Sequence, residues 1–525
     1  HPHTSTSEKI AVVHNGIVEN YASLKQMLME DGYVFVTQTD TEVLAHLIHK
    51  HYKGDLEAAV KNALLYVQGT YGIAVVADDR DHEIVVARNG SPIVLGVGDD
   101  EMFVASDVTA IIAHTQQVIY LEDGETAVLH ADDYRTTTLD DARVDKDVQE
   151  VDWRIDQIEK GDFEHFMLKE ICEQPLSIRR AHRGRVVPEY GTARLGGLNI
   201  ERREFFDIDR ICLIACGTSY HAGLVASYQL GALARVPCSV EVASEFRYRN
   251  PIIEKHTLYF AISQSGETAD TLAAMREVQR KGGRVLGLVN VVGSTIARES
   301  DGGIYIRSGP EIAVASTKAF TSQIVALLLF TITIGRMKDM SAATGSHLLN
   351  ALDAIPGQLE QLLESSAQLE SLADKYLATD FCLFLGRGIS YPVAMEAALK
   401  LKEISYVNAE GLPAAEMKHG PIALINEETP VIFVAPRDEL FEKTLVNMEE
   451  VKARKGRIIV ITNPDPADTR AEDLAEDVIH VPATYHALSP LLTVVPLQLF
   501  AYHMALKLGR DVDQPRNLAK SVTVE

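Results

Sequence analysis

The 525-residue sequence is poor in cysteine and short of positive charge. Its five cysteines are scattered from Cys172 to Cys382, with no CxxC pair and none before Cys172. An odd, dispersed set does not build a disulfide framework, so a reducing cytoplasm is the expected location. Lys and Arg number 50 against 74 Asp and Glu, a formal net charge of −24. That balance argues against a nucleic-acid partner, which needs a basic face. Any anionic ligand must be held by a local device. No apolar h-region follows the opening HPHTSTSEKI, which argues against a secretory signal. The chain starts at His1 rather than Met, so a cropped or processed N-terminus is expected. The longest apolar stretches are 324–335, too short for a bilayer, and 488–506, which carries Pro490, Pro496, Gln498 and His503. No membrane partner is expected. The 18 histidines show no metal-ligand spacing, so neither metal nor cofactor is expected.

What is present is an ordinary globular composition, 46% hydrophobic, long enough for about three or four domains. Residues 1–145 read as α+β. A short strand at Ile10–Val13 ends at His14-Asn15-Gly16, helical spacing follows at Tyr21–Glu30 and Thr41–His51, and short strands run on to about His130. The charged stretch 140–183 reads as a helical connector. From Ile211 onward, strand, turn and helix alternate as in a parallel α/β sheet.

The second half contains an internal repeat. LIACGTSYHAG matches FLGRGISYPVA, with Gly217, Ser219 and Tyr220 on Gly388, Ser390 and Tyr391, 171 residues apart. The same offset places Leu258–Ile262 on Thr429–Phe433. A nearby one, 173, places Gly283–Val285 on Gly456–Ile458. Ordered matches at one domain-sized spacing indicate a duplicated α/β domain.

In the first copy, the apolar run Tyr259–Ile262 leads into Ser263-Gln264-Ser265-Gly266-Glu267-Thr268 and then a helix. A strand feeding a hydroxyl-rich glycine turn and a helix N-terminus is an anion site that needs no Lys or Arg. The turn Cys216-Gly217-Thr218-Ser219 is of the same kind. One such turn could merely cap a helix; two at strand ends of one sheet point to a ligand. The second copy has Val434-Ala435-Pro436 instead, so one phosphate per chain is expected.

Spacing leaves the remaining candidates open. Glu396, Lys400 and Glu403 share one face of a helix expected at Tyr391–Tyr406. They read either as a surface ion-pair ladder or as an acid/base set near a sugar carbon. His419, in a turn, is a solvated residue or a catalyst. Lys520 is an exposed tail lysine or an amine for a Schiff base with a keto sugar, in a tail ending in the strand-like Val522–Val524.

The motifs VVHNGIVEN, TQTDTEV, HFMLKEICEQP, CGTSY, EVASEFRYR, SQSGETADT, AVASTKAF, ALKLKEISY, EMKHGP and DQPRNLAKSVTVE run the length of the chain. With them it resembles the isomerising glutamine–fructose-6-phosphate aminotransferases, the glucosamine-6-phosphate synthases. The resemblance implies an α/β chain with two doubly wound parallel-sheet sugar-isomerase (SIS) domains, at 201–345 and 370–510. An incomplete α+β N-terminal-nucleophile glutaminase domain at 1–150 and a helical linker at 151–200 precede them. A tail at 511–525 closes the sugar site.

By the same resemblance Cys216, Gly217, Thr218, Ser219, Ser263, Gln264, Ser265 and Thr268 hold the sugar phosphate, and Val314, Ser316 and Ala519 line the sugar. His419 assists ring opening from a neighbouring subunit, which implies a homodimer. Lys520 forms the imine with fructose 6-phosphate, and ammonia from glutamine displaces it. Glu403 moves a proton between C1 and C2, and Lys400 serves the oxygen on C1. His1, Asn15, Gly16 and Asp40 form a remnant of the glutamine site, with Asn15 and Gly16 as oxyanion hole and Asp40 on the α-amino group. The segment carrying the family's nucleophilic cysteine has no match here, so ammonia-dependent activity alone is expected. The competing readings are a non-catalytic sugar-phosphate-binding regulator and a plain sugar isomerase or deglycase.

Overall fold

A computed structural model describes residues 1–523 apart from 152, 154 and 365. The N-terminal part pairs two antiparallel sheets. The first has order β1-β2-β3-β4-β8-β9 and the second β10-β7-β5-β6. Their strands are β1 (His3–Thr4), β2 (Ile10–Val18), β3 (Gly69–Ala77), β4 (Ile84–Asn89), β5 (Val94–Val97), β6 (Met102–Ala105), β7 (Gln117–Tyr120), β8 (Glu125–Leu129), β9 (Tyr134–Thr138) and β10 (Gln149–Glu150). Helices α1 (Tyr21–Glu30), α2 (Asp40–His51) and α3 (Leu56–Leu64) bury Leu24, Leu28, Leu44, Leu47 and Val60 against Val12, Ile73 and Val75 of the first sheet.

Two expectations fail here. Strand β2 does not stop at Val13; it runs through His14-Asn15-Gly16 to Val18, paired residue for residue with β3. Gly16 has φ +149°, and a Cβ there would lie 2.1 Å from the Thr70 carbonyl oxygen, so the glycine permits close strand approach where the strand was expected to end. Helix α3, unforeseen, is started by Asp55, whose side chain accepts from the Ala58 N–H.

The connector holds α4 (Ile155–Ile158), α5 (Phe166–Cys172) and α6 (Gln174–His182), then a small hairpin of β11 (Val186–Val187) and β12 (Thr192–Ala193). The rest is two copies of one topology. Copy one has β13 (Arg210–Ala215), α7 (Gly217–Gln229), β14 (Cys238–Val242), α8 (Ala243–Tyr248), β15 (Thr257–Ser263), α9 (Ala269–Arg280), β16 (Val285–Val289), α10 (Thr295–Glu299), β17 (Gly303–Tyr305) and α11 (Lys318–Met337). Helices α12 (Ala342–Leu363) and α13 (Ser366–Tyr376) lead to copy two. It has β18 (Phe381–Gly386), α14 (Ser390–Ser405), β19 (Asn408–Pro413), β20 (Pro430–Val434), α15 (Phe441–Lys452), β21 (Arg457–Thr462), α16 (Arg470–Leu474), β22 (Asp477–His480) and α17 (Ser489–Lys507).

The strand orders are β14-β13-β15-β16-β17 and β19-β18-β20-β21-β22, all parallel, the same permutation twice. Gly217 and Gly388, at the matching strand-to-helix turns, share a φ of +53°, a left-handed conformation that suits glycine. The central strands are continuous apolar runs because helices cover both faces. One core joins the copies, with Val225, Phe320 and Leu328 packed in the same cluster as Ala397, Leu401 and Phe500.

Helix α11 and the segment His486–Lys507 are long and apolar enough to cross a membrane, yet both are buried inside the protein. Val522 and Thr523 form no strand, and Val524 lies outside the described residues.

Candidate active site

The hydroxyl-rich turn after β15 closes on itself. Ser263 Oγ lies 2.8 Å from Thr268 Oγ1 and 3.4 Å from Ser265 Oγ. The Gly266 N–H donates to Ser263 Oγ (3.0 Å) and the Glu267 N–H to Ser265 Oγ (3.2 Å). Thr268 caps α9 in an extended conformation, so the turn faces that helix's N-terminus, where hydroxyls and free N–H groups suit a phosphate. Gly266 has φ +70°, and a Cβ on it would lie 2.1 Å from Ser294 Oγ. Gln264 contributes its backbone carbonyl to the Asn290 N–H (3.0 Å). In the neighbouring turn, Ser219 Oγ accepts from Gln323 Nε2 (2.9 Å). Cys216 faces Thr271, and burial pushes its thiol up, which suits a wall residue rather than a nucleophile.

Thr218 turns the other way, toward copy two. Its hydroxyl donates to Glu396 Oε1 (3.0 Å) and accepts from Lys400 Nζ (3.0 Å). Lys400 Nζ also lies 2.7 Å from Glu403 Oε2 and 3.4 Å from Glu396 Oε1. His221 of α7 completes the set, with Nδ1 2.7 Å from Glu396 Oε2. This is no surface ladder, since Glu396 and Lys400 are 0% and 1% exposed. Burial works against the Lys400 charge, but Glu396 and Glu403 outweigh it and hold the ammonium well above the usual lysine range. Lys400 is therefore a proton donor or fixed cation, not a base. Glu403 Oε2 is buried, with Lys400 Nζ 2.7 Å away as its ion-pair partner.

The tail delivers Lys520, whose Nζ bonds Glu311 Oε2 (2.8 Å) and the Ala313 carbonyl (2.8 Å). Glu311 also accepts from Ser316 Oγ (2.8 Å) and from the N–H groups of Thr317 and Ala319. Burial alone would raise the Glu311 carboxyl, but Lys520 and these donors overcome it and hold the group below the usual carboxylate range. Beneath lies Glu170, raised by burial and by the Glu311 charge, which accepts from the Ile312 (2.5 Å) and Ala313 (3.2 Å) N–H groups.

Val314 N–H donates to the Asp513 carbonyl (3.0 Å), and the Asp513 carboxylate takes the N–H groups of Phe166 and Met167. Ala519 is exposed beside Lys520. Further on, Ser521 Oγ donates to Ser265 Oγ (3.0 Å), and the Ala269 N–H donates to the Val522 carbonyl (3.0 Å). The tail thus spans the turn after β15 and the Glu311 loop. His419 stands apart, exposed on a short 3₁₀ turn, with no side-chain hydrogen bond among the described residues.

At the far end of the tail, Thr523 Oγ1 meets the Asn15 amide, with Nδ2 3.0 Å away. The His1 ring accepts the His14 N–H (3.3 Å), and Asp40 accepts the Val18 N–H (2.8 Å). Burial lowers the His14 imidazole, against the pull of Asp40. His1, Asn15, Gly16 and Asp40 thus cluster around the middle of β2.

His221, Glu311, Glu170 and Ser521 were not singled out in the sequence. A lone acid in the apolar run around Glu311 was the one available signal; His221 carried none, because its partner is 175 residues away.

Comparison with known proteins identifies the family and its domains. The SIS domain family matches residues 204–333 and 381–508, and the glutamine amidotransferase domain family matches 1–113. The glutamine–fructose-6-phosphate aminotransferase [isomerizing] of Chlorobaculum tepidum is 51% identical over 529 residues, covering 100% of this chain and 86% of that protein. A protein of the same name from Thermus thermophilus is 49% identical over 527 residues, with the same coverage. Among solved structures, the C-terminal domain of glucosamine-fructose-6-phosphate aminotransferase from Francisella tularensis superposes with a TM-score of 0.65. It has 39% identity and covers 68% of this chain and 100% of that one. The chain belongs to the isomerising glutamine–fructose-6-phosphate aminotransferase family, with two SIS domains preceded by a glutamine amidotransferase domain.

Proposed function

We propose that this chain converts fructose 6-phosphate and glutamine-derived ammonia into glucosamine 6-phosphate, as a cytoplasmic homodimer without metal or cofactor and without nucleic-acid or membrane partners. The observation that carries the reading is the docking of one tail across two sites. Lys520 lies against Glu311, while Ser521 lies against the Ser263–Thr268 turn. A sugar with its phosphate in that turn extends toward Lys520, and Thr218 of the neighbouring turn links the site to Lys400 and Glu403.

In this reading Ser219, Ser263, Gln264, Ser265 and Thr268 bind the phosphate, with Cys216 and Gly217 in the wall. Val314, Ser316 and Ala519 line the sugar, and Thr218 aligns Lys400. The Lys520 amine adds to the C2 carbonyl and water leaves, giving an imine. Ammonia displaces the lysine by exchange at C2. Glu403 removes a proton from C1 and returns it to C2, and the cationic Lys400 stabilises charge on the C1 oxygen. His419, unused in its own chain, assists ring opening in a partner's site. His1, Asn15, Gly16 and Asp40 belong to the glutamine site. The division proposed is glutaminase 1–150, linker 151–200, SIS domains 201–345 and 370–510, and tail 511–525.

Borohydride reduction of the chain mixed with fructose 6-phosphate is expected to fix the sugar on the peptide carrying Lys520. Lys520→Arg is expected to lose ammonium-dependent synthesis by at least ~10³-fold. Unlabelled Lys520 together with unchanged turnover in the variant would favour the sugar-phosphate-binding regulator.

A further inference from the structure

The turn after β15 is braced from outside its own domain. Glu267, between Ser265 and Thr268, points its carboxylate away from the hydroxyls and onto α10. Oε1 accepts the Thr295 N–H (2.7 Å) and Oε2 accepts Thr295 Oγ1 (2.8 Å). The Ile296 N–H donates to the Gly266 carbonyl (3.0 Å), so α10 grips the turn at two successive residues.

Over this contact lies Arg88, from strand β4 of the amidotransferase domain and 2% exposed. Its Nη2 donates to Thr295 Oγ1 (2.9 Å) and lies 3.8 Å from Glu267 Oε2. Its Nη1 donates to the Leu121 carbonyl, and its Nε lies 3.3 Å from Asp123 Oδ1. Asp123 is itself fixed by the Gly90 N–H (2.8 Å) and by Arg276 of α9 (3.1 Å). Burial raises the Glu267 carboxyl, and Arg88 is the largest force opposing that rise. A buried carboxylate needs such a cation, because an unpaired one either takes a proton or moves. Movement or protonation of Glu267 would release Thr295 and with it the turn.

We propose that Arg88 is a positioning residue for sugar-phosphate binding, reaching from the amidotransferase domain to hold the Ser263–Thr268 turn of the first SIS domain through Thr295 and Glu267. The inference rests on the proposed role of that turn in binding the sugar phosphate. It makes the sugar-phosphate affinity of one domain depend on a buried cation of another.

The test is ammonium-dependent synthesis in the whole chain, with fructose 6-phosphate varied. Calorimetric titration with fructose 6-phosphate and thermal melts are run beside it. Arg88→Gln is expected to raise KM and the dissociation constant together by roughly 3- to 30-fold, with kcat changed much less. Arg88→Lys should recover part of the loss. Thr295→Val, which removes only the hydroxyl, should move KM the same way and covers the case in which Arg88→Gln does not fold. The Arg88→Gln/Glu267→Gln pair should lose less than the product of its single variants.

Ser263→Ala separates the two claims. If it leaves KM unchanged, the turn does not bind the phosphate. If it raises KM while Arg88→Gln and Thr295→Val do not, the positioning role of Arg88 is wrong. Equal loss of kcat and melting temperature with KM unchanged would make Arg88 a structural brace only.

Discussion

The two SIS copies share a strand order, a left-handed glycine at the same β–α turn and one core, yet they hold different chemistry. After its central strand, copy one has Ser263–Thr268, a ring of hydroxyls on a helix N-terminus. Copy two has Ala435-Pro436-Arg437 in the same place. There the Arg437 guanidinium spends itself on the Asn463 carbonyl (2.8 Å), Asp468 (3.0 Å) and Glu472 (3.2 Å). The helix after the first strand differs in the opposite sense. Helix α7 of copy one supplies Thr218 and His221, which reach out, while α14 of copy two supplies Glu396, Lys400 and Glu403, which receive them. Duplication preserved the frame, and divergence left the hydroxyl turn in one copy and the buried Glu–Lys–Glu set in the other, which the proposed function reads as anion binding and proton handling. Neither set is complete alone, because the Lys400 cluster closes only where α7 meets α14.

The division can be broken at several points. Glu403→Gln is expected to lower kcat by ~10²–10⁴-fold with little change in KM, as for a lost proton-transfer group. A rise in KM alone would move Glu403 out of the acid/base role. Thr268→Ala in copy one should raise KM for fructose 6-phosphate about 10-fold or more, the worth of one hydrogen bond to a charged group. Steady-state kinetics with saturating ammonium read both.

Arg437→Ala in copy two should instead leave KM alone and cost about 1–3 kcal/mol of stability, seen in a thermal melt. A KM effect there would mean that the copies are not divided as described.

The acid response is the subtlest test. The Glu311 carboxyl is lowered in the folded state, so its contribution is whole above the ordinary value of 4.5 and is lost as pH falls below it. Lys520→Met removes the strongest opposing charge, so this acid-dependent contribution should shrink, with the tail released more readily already at neutral pH. Proteolysis of the tail across an acid series would show it, and an unchanged profile would exclude the Glu311–Lys520 pair as the anchor.

Much of the second half was legible because its signals are local. Apolar strand runs, the SQSGET turn and the matched glycines are written within a few residues of one another. The hydroxyl turn was read from residues alone, as was the absence of its counterpart in copy two. The N-terminal part was less transparent. His14-Asn15-Gly16 carries turn residues, but β3 pairs across them, so tertiary pairing overrode the local preference. Glu396, Lys400 and Glu403 fit a solvated ladder equally well by spacing; burial against α7 decides otherwise.

Sequence by itself determined the doubled α/β frame, the single hydroxyl turn and the family, because each rests on short-range pattern or on many motifs in order. Only the tertiary structure decided how charge is distributed within that frame. It turned Thr218 from its own copy's hydroxyl turn toward Lys400, set Lys520 on Glu311, and brought Arg88 over Glu267 across 179 residues of chain. Such pairings depend on which buried ion meets which partner, and the cost of burying an unpaired charge selects them only once the chain has closed.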